Sequence, residues 1–108
     1  MIPRIIHQIY FDFGKGNYRE IPDYAWNHSK TEVFCKKNNI KLKFWNEKEI
    51  EELIETDYPE FWKTFNEFPH KIMKVDFAKY ILLHKFGGVY LDMDTKPIAS
   101  MEDLFKRE

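Results

Sequence analysis

Asp92 and Asp94 are two carboxylates separated by one residue, Met93. They follow Val89-Tyr90-Leu91, a short apolar run that reads as the last residues of a buried strand. In extended chain, residues two apart point to the same side, so both carboxylates are expected to face one spot at the strand's exit. Two like charges held together need a counterion. Hard oxygen donors favour Mg²⁺ or Mn²⁺, with water and phosphate completing the coordination. The competing reading of an isolated Asp-x-Asp is a solvated turn in which Asp94 caps nearby backbone.

A second set of charges precedes it. The stretch from Pro69 to Phe86 reads as one helix, with Gly87 as its C-terminal cap. At about 100° per residue, Lys71, Lys74 and Lys85 share one side with His70 nearby, and Ile72, Val75, Leu82, Leu83 and Phe86 mark a side predicted to be buried. Asp76 and Lys79 fall on that apolar side, three residues apart and able to touch. Burying such a pair is costly unless it is compensated. Two readings follow: an internal ion pair that fixes the helix, or a pair that lines a polar cleft and meets a ligand. The helix runs through Gly87-Gly88 directly into the Asp92 strand, which favours a shared site.

Other elements must hold these groups in place. Arg4 to Phe11 is β-branched and aromatic and is predicted to be a strand ahead of the loop Gly14-Lys15-Gly16-Asn17. Pro22 suits the first turn of a helix reaching about Asn38, where Asn38-Asn39 is a stop. Ile40 to Trp45 alternates apolar and lysine residues, as a second strand would. Asn46 and Glu49 have the spacing of a capping box for the next helix, through Ile50, Leu53 and Ile54. A short helix is expected around Phe61, Trp62 and Phe65. This order predicts an α/β fold, a mostly parallel sheet with flanking helices. In such sheets ligands sit beyond the carboxyl ends of the strands. That singles out Tyr10, the residues after Trp45, and Asp92 to Asp94.

Composition narrows the function. The chain has 108 residues, and residues 1–108 are read as one domain. With 44% hydrophobic and 18% aromatic residues it can build a core, which excludes a disordered chain. Its 17 basic and 18 acidic residues leave no basic footprint for a nucleic-acid partner. No apolar run approaches the roughly 20 residues that span a bilayer. Cys35 is the single cysteine and reads as a small apolar residue on a helix. No signal-peptide pattern opens the chain, and a reducing, cytoplasmic setting is expected.

Three blocks resemble the sugar-binding region of the family 32-type glycosyltransferases that carry a D-x-D motif. The first, Ile2-Pro3-Arg4-Ile5-Ile6-His7-Gln8-Ile9-Tyr10-Phe11, is similar to I-P-K-I-I-H-Q-I-W-F. The second is Leu42-Lys43-Phe44-Trp45-Asn46, like that family's strand ending in Trp. The third runs from Asp76 through Lys79-Tyr80 to Gly87-Gly88-Val89-Tyr90-Leu91-Asp92-Met93-Asp94, like D-x-x-R-Y followed by G-G-I-Y-L-D-x-D. The group includes yeast initiating outer-chain mannosyltransferases and bacterial capsule enzymes, and the clostridial glucosylating toxins are similar in this segment.

The resemblance implies a GT-A-like, Rossmann-like fold, of which this chain would form the N-terminal donor-binding half. It implies an enzyme, a hexosyltransferase that takes a UDP- or GDP-sugar, needs Mn²⁺ or Mg²⁺, and retains anomeric configuration. Asp94 would hold the ion directly. Asp92 would reach ribose, sugar or, through water, the ion. Tyr90 would lie against the ribose, Asp76 would accept hydrogen bonds from sugar hydroxyls, and Tyr10 would stack on the base where the family often has Trp. Gln8 and Ile9, in the same block, are placed with the substrate-binding residues. Asp92, Asp94 and Lys79 would form the catalytic set. Two departures stand out. Lys79 replaces Arg, keeping the charge but losing the planar fork. The chain also stops at Glu108, soon after the D-x-D, whereas related enzymes continue, so the domain reads as truncated or minimal.

Two other functions compete. One is a nucleotide-sugar-binding module without full transfer, which could pair with a second copy or a partner subunit; in either case the acceptor, glycan or protein, is not encoded here. The other is a haloacid dehalogenase-type phosphatase, with Asp92 as nucleophile and Asp94 as acid/base in the run Asp92-Met93-Asp94-Thr95. It leaves the first block and Asp76 without a role.

Overall fold

The computed structural model describes residues 3–12, 14 and 16–93. Three parallel strands, β1 (Ile5–Tyr10), β2 (Lys41–Asn46) and β3 (Val89–Tyr90), form a sheet in the order β2-β1-β3. β1 is central. Ile5 to Tyr10 pair in register with Lys41 to Asn46 on one side, and Ile6 and His7 with Val89 and Tyr90 on the other. Both faces of β1 are covered, so Ile6, His7, Gln8 and Ile9 are all buried. That explains why its sequence runs apolar without clean alternation.

Helix α1 (Pro22–Lys37) connects β1 to β2; helices α2 (Glu47–Asp57), α3 (Trp62–Glu67) and α4 (Lys71–Phe86) connect β2 to β3. The core divides by strand parity. Ile6 joins Cys35 and Ile40 in the smaller cluster, whereas Ile9 and Phe11 join Ile50, Ile54, Phe65 and the α4 residues Val75, Ala78, Ile81 and Leu82.

The helix ends follow from local chemistry. Pro22 occupies the first turn of α1, and Lys36 and Lys37 sit in its last turn, where they complement the helix dipole. Asn39 then takes a left-handed conformation, φ 57°, and ends the helix. The capping box of α2 is complete: Asn46 Oδ1 accepts from Glu49 N at 2.8 Å, and Glu49 Oε1 accepts from Asn46 N at 3.1 Å. α4 starts at Lys71, two residues later than the sequence predicts, because His70 keeps an extended backbone and serves as N-cap.

The turn from α4 into β3 needs glycine. Gly87 and Gly88 have φ of 71° and 92°, and a Cβ on Gly88 would lie 2.5 Å from the Ile5 carbonyl oxygen. β1 and the end of α4 therefore approach more closely than any side chain allows.

Candidate functional site

All three strands are parallel, so Tyr10, Asn46 and Tyr90 end at the same edge of the sheet. A cleft of about 270 Å³ opens there between β1, β3 and α4, lined by Tyr10, Tyr24, Ile72, Lys79, Tyr90 and Asp92. Its centre is an ammonium group. Lys79 Nζ lies 3.1 Å from Asp76 Oδ1 and 3.6 Å from Asp92 Oδ1, and 4.9 Å from the Tyr90 ring centroid. Partial burial works to lower the Lys79 pKa. The hydrogen bond to Asp76 and the charges of Asp92 and Asp76 outweigh it, and the pKa is raised. Lys79 is thus a fixed cation. The Tyr90 hydroxyl is pushed above its ordinary range, first by burial, then by the Asp92 charge and a hydrogen bond to Asp92. It stays a neutral phenol.

Asp76 and Lys79 are not a buried ion pair. The side chains of Asp76 and Lys79 are 57% and 28% exposed, and Ile72, expected in the core, is 55% exposed. The buried arc of α4 is centred instead on Val75, Ala78, Ile81 and Leu82. The apolar arc read from the sequence extended too far, because one margin of it borders the cleft. The internal ion-pair reading is thereby set aside: Lys79 lines the cleft, and Asp76 pairs with it from an exposed position.

Tyr10 separates this cleft from a larger one, about 720 Å³, on the β2 side of the sheet. Tyr18, Arg19, His28, Phe44 and Asn46 line the larger cavity. The His28, Tyr18 and Phe44 rings form a three-way cluster, with His28 at centroid distances of 5.0 Å from Tyr18 and 4.9 Å from Phe44, which are 4.7 Å from each other. Tyr10 meets Tyr18 and Tyr24 edge-on, both at 6.0 Å, and its hydroxyl donates to the Gly16 carbonyl. This aromatic wall spans four elements, β1, the 3-10 turn Tyr18–Glu20, α1 and β2, and of its members the sequence places only Tyr10 at the site. Tyr18, Tyr24 and His28 carry no spacing signal, and the alternation that includes Phe44 marks a strand rather than a site; these rings converge only in the folded chain. Lys71 was read as a solvated residue, yet its Nζ donates to the Asp12 carbonyl at 2.8 Å and pairs with Glu47 at 3.4 Å, tying the loop after β1 to α4 and α2.

Of the other residues expected at the site, Asp92 is exposed and faces Lys79. Asp94 lies outside the described residues. Ile9 is nearly closed off and serves as floor of the cleft. Gln8 is corrected from a substrate-binding residue to an interior one. It is fully buried, and its Oε1 accepts from His28 Nδ1 at 2.7 Å. Gln8 therefore holds His28, and through it the aromatic wall, rather than touching a ligand itself. The neighbouring His7 is also buried. Its Nε2 donates to the Gly87 carbonyl at 2.9 Å, and its Nδ1 accepts from Trp45 Nε1 at 3.2 Å. His7 thereby joins β1, β2 and the turn that leads to Asp92.

Residues 18–108 match the family described as "Glycosyltransferase sugar-binding region containing DXD motif". The chain belongs to this glycosyltransferase family. Among its relatives is inositol phosphoceramide mannosyltransferase 3 of Schizosaccharomyces pombe, 34% identical over 93 residues, which cover 86% of this chain and 24% of that protein. A mimivirus protein named as an uncharacterised glycosyltransferase is 34% identical over 97 residues, covering 87% of this chain and 36% of that protein. The initiation-specific alpha-1,6-mannosyltransferase of Candida albicans is 40% identical over 60 residues, covering 53% of this chain and 16% of that protein. The chain thus spans between about one sixth and about one third of these relatives' length. No solved structure matches it. Family membership sets aside the phosphatase reading and agrees with the α/β architecture. Among the described residues no helix is long and apolar enough to cross a membrane.

Proposed function

We propose that this chain forms the donor-binding part of a metal-dependent glycosyltransferase that takes a nucleotide-diphosphate sugar. The observation that carries the proposal is Lys79 held between Asp76 and Asp92 in a cleft at the carboxyl ends of the strands. An ammonium ion stands where two carboxylates converge, so the field of the cleft calls for positive charge. Among the described residues no group of three or more His, Cys, Asp or Glu side chains is placed to hold a metal. The hard oxygen donors of Asp92 and, by sequence, Asp94 suit a Mg²⁺- or Mn²⁺-type ion, which one or two carboxylates plus phosphate and water bind. Asp92 and Asp94 are the residues that would hold it. It would supply Lewis-acid stabilisation of the departing diphosphate.

The chain's own residues have separable tasks in this reading. Lys79 adds fixed positive charge beside the diphosphate. Asp76 accepts hydrogen bonds from sugar hydroxyls. Tyr90 offers a neutral phenol and a ring face to the ribose. Tyr10 offers an aromatic surface to the base at the entrance of the larger cavity. The donor is a UDP- or GDP-hexose, transfer proceeds with retention, and mannosyl is the first sugar to test because several relatives are named mannosyltransferases.

A thermal-shift panel of UDP- and GDP-sugars with and without Mn²⁺ tests this. A ligand that binds the native state raises Tm. The expected result is a shift that needs both a donor and Mn²⁺; no shift with any donor refutes the donor site. Release of free nucleoside diphosphate from the stabilising donor then separates an enzyme from a module that only binds.

A further inference from the structure

The Lys79 ammonium has three partners at once, two carboxylates and a ring face. Asp76 lies one turn earlier on α4, Asp92 lies beyond β3, and the Tyr90 ring lies beneath it, at 3.1, 3.6 and 4.9 Å. Asp92 is also the described residue through which a divalent ion would enter this cleft. A single carboxylate cannot serve an ammonium and a divalent ion at close range without setting the two cations against each other. Lysine suits an exchange of partners. It is a compact charge on a flexible four-carbon stem, whereas the arginine common in the family is a rigid fork suited to keeping paired contacts. Asp76 provides the second anchor. Lys79 can leave Asp92 while remaining paired with Asp76, three residues away on the same helix.

We propose that Lys79 is a built-in stand-in for the divalent cation: it neutralises Asp92 in the metal-free cleft, yields that carboxylate when the ion arrives, and turns to the donor's diphosphate. This rests on the donor-site reading and deepens it, because it couples the order of binding to one side chain. Lys79 opposes metal that comes alone and favours metal that comes with a diphosphate. Its charge is repelled by the bare ion, but the added phosphate charge attracts both.

The coupling has a signature of opposite signs. Mn²⁺ binding to the full chain is read from loss of the free-ion electron paramagnetic resonance signal, first without nucleotide and then with UDP or GDP. Without nucleotide, Lys79→Met is expected to bind Mn²⁺ at least about threefold more tightly than wild type, because a like charge near the ion has gone. With the nucleoside diphosphate that wild type prefers, the order reverses, and the variant holds the metal–nucleotide pair more weakly. Lys79→Arg keeps the charge and is expected to bind Mn²⁺ alone no more tightly than wild type. Lys79→Gln is run in parallel, with circular dichroism as the folding control, so that loss of structure in one variant does not decide the result.

Equal or weaker Mn²⁺ binding by both neutral variants without nucleotide overturns the proposal, as does absence of Mn²⁺ binding in wild type and variants alike. A second readout is the Lys79 ε-methylene resonance. It should move as Mg²⁺ saturates wild type and move further when nucleoside diphosphate is added; a signal that stays fixed at Mg²⁺ saturation also overturns the proposal. Because the first comparison uses metal alone, failure of wild type to take any nucleoside diphosphate would refute the donor reading while the metal comparison still stands.

Discussion

His7 and His28 are held neutral by their surroundings. For both, burial is the largest effect and lowers the pKa. At His7 the Gly87 carbonyl works against this and Lys43 adds to it; at His28 the Glu32 charge opposes and Arg19 adds. The unfolded chain binds these protons more readily than the folded one, so stability is present above the ordinary histidine range and is lost as pH falls through it. A drop in Tm is expected between pH 7 and pH 5, and His7→Gln should make that dependence shallower; a flat profile in wild type would contradict the assignment. Cys35 behaves in the same spirit. Burial pushes its thiol up to about 11, so it should react with a thiol reagent at pH 8 only as fast as the protein opens. At this scale the sequence placed Asp76 and Lys79 within reach of each other and Asp92 at a strand exit, because helical spacing and a strand's last residues are local signals, and the structure brings Lys79 against both carboxylates. The interior role of Gln8 was not, since its partner His28 lies twenty residues away on another element.

Helix ends carry the next layer of prediction. Asn46→Ala removes one side of the α2 capping box, and a cost of about 0.5–2 kcal/mol is expected from the denaturation midpoint. Gly88→Ala is a different experiment. The new methyl group meets the Ile5 carbonyl oxygen at 2.5 Å in a left-handed backbone, so β3 must shift relative to β1. The expected outcome is a lower Tm together with loss of the Mn²⁺-dependent donor shift, since Tyr90 and Asp92 follow directly. A variant that loses stability but keeps the full donor shift would show that β3 need not hold its register. Boundaries marked by Pro22, the Asn38-Asn39 stop, the Asn46 box and Gly87 were readable from the chain, because each reflects chemistry confined to a few neighbours. The faces of α4 were not. Ile72 and Leu83 have core-like side chains, but whether a helix face is buried is settled by what packs against it, and here one margin borders open cleft.

For the whole molecule, ligand and fold are linked. A donor present at a hundred times its dissociation constant should add about 2.7 kcal/mol, which is a large share of the stability of a small domain. Replacing Asp92 by Ala should abolish the metal-dependent part of that gain at only a modest cost to the ligand-free Tm, because its half-exposed ion pair with Lys79 contributes little while the Tyr90 hydroxyl loses a partner. Persistence of the full metal-dependent gain would remove Asp92 from the site. The parallel sheet and its flanking helices were legible as a class from the order of apolar runs. The strand order was not, because it depends on β1 being paired across sequence separations that no local pattern encodes.

That central placement has a consequence for how the chain is made. β1 precedes both of its partner strands in the chain, and its second edge is closed only by Val89 and Tyr90. His7 must likewise wait for the Gly87 carbonyl, eighty residues later. Until then the nascent chain carries an apolar strand with one unpaired edge, open to mispairing with other chains. Two elements that follow β1 and β2 in the chain, α4 and β3, are the ones that bring Lys79 and Asp92 together. The cleft therefore forms only when β3 docks on β1, and capacity to take a donor should appear late in refolding, in step with that docking rather than with the earlier gain of helix.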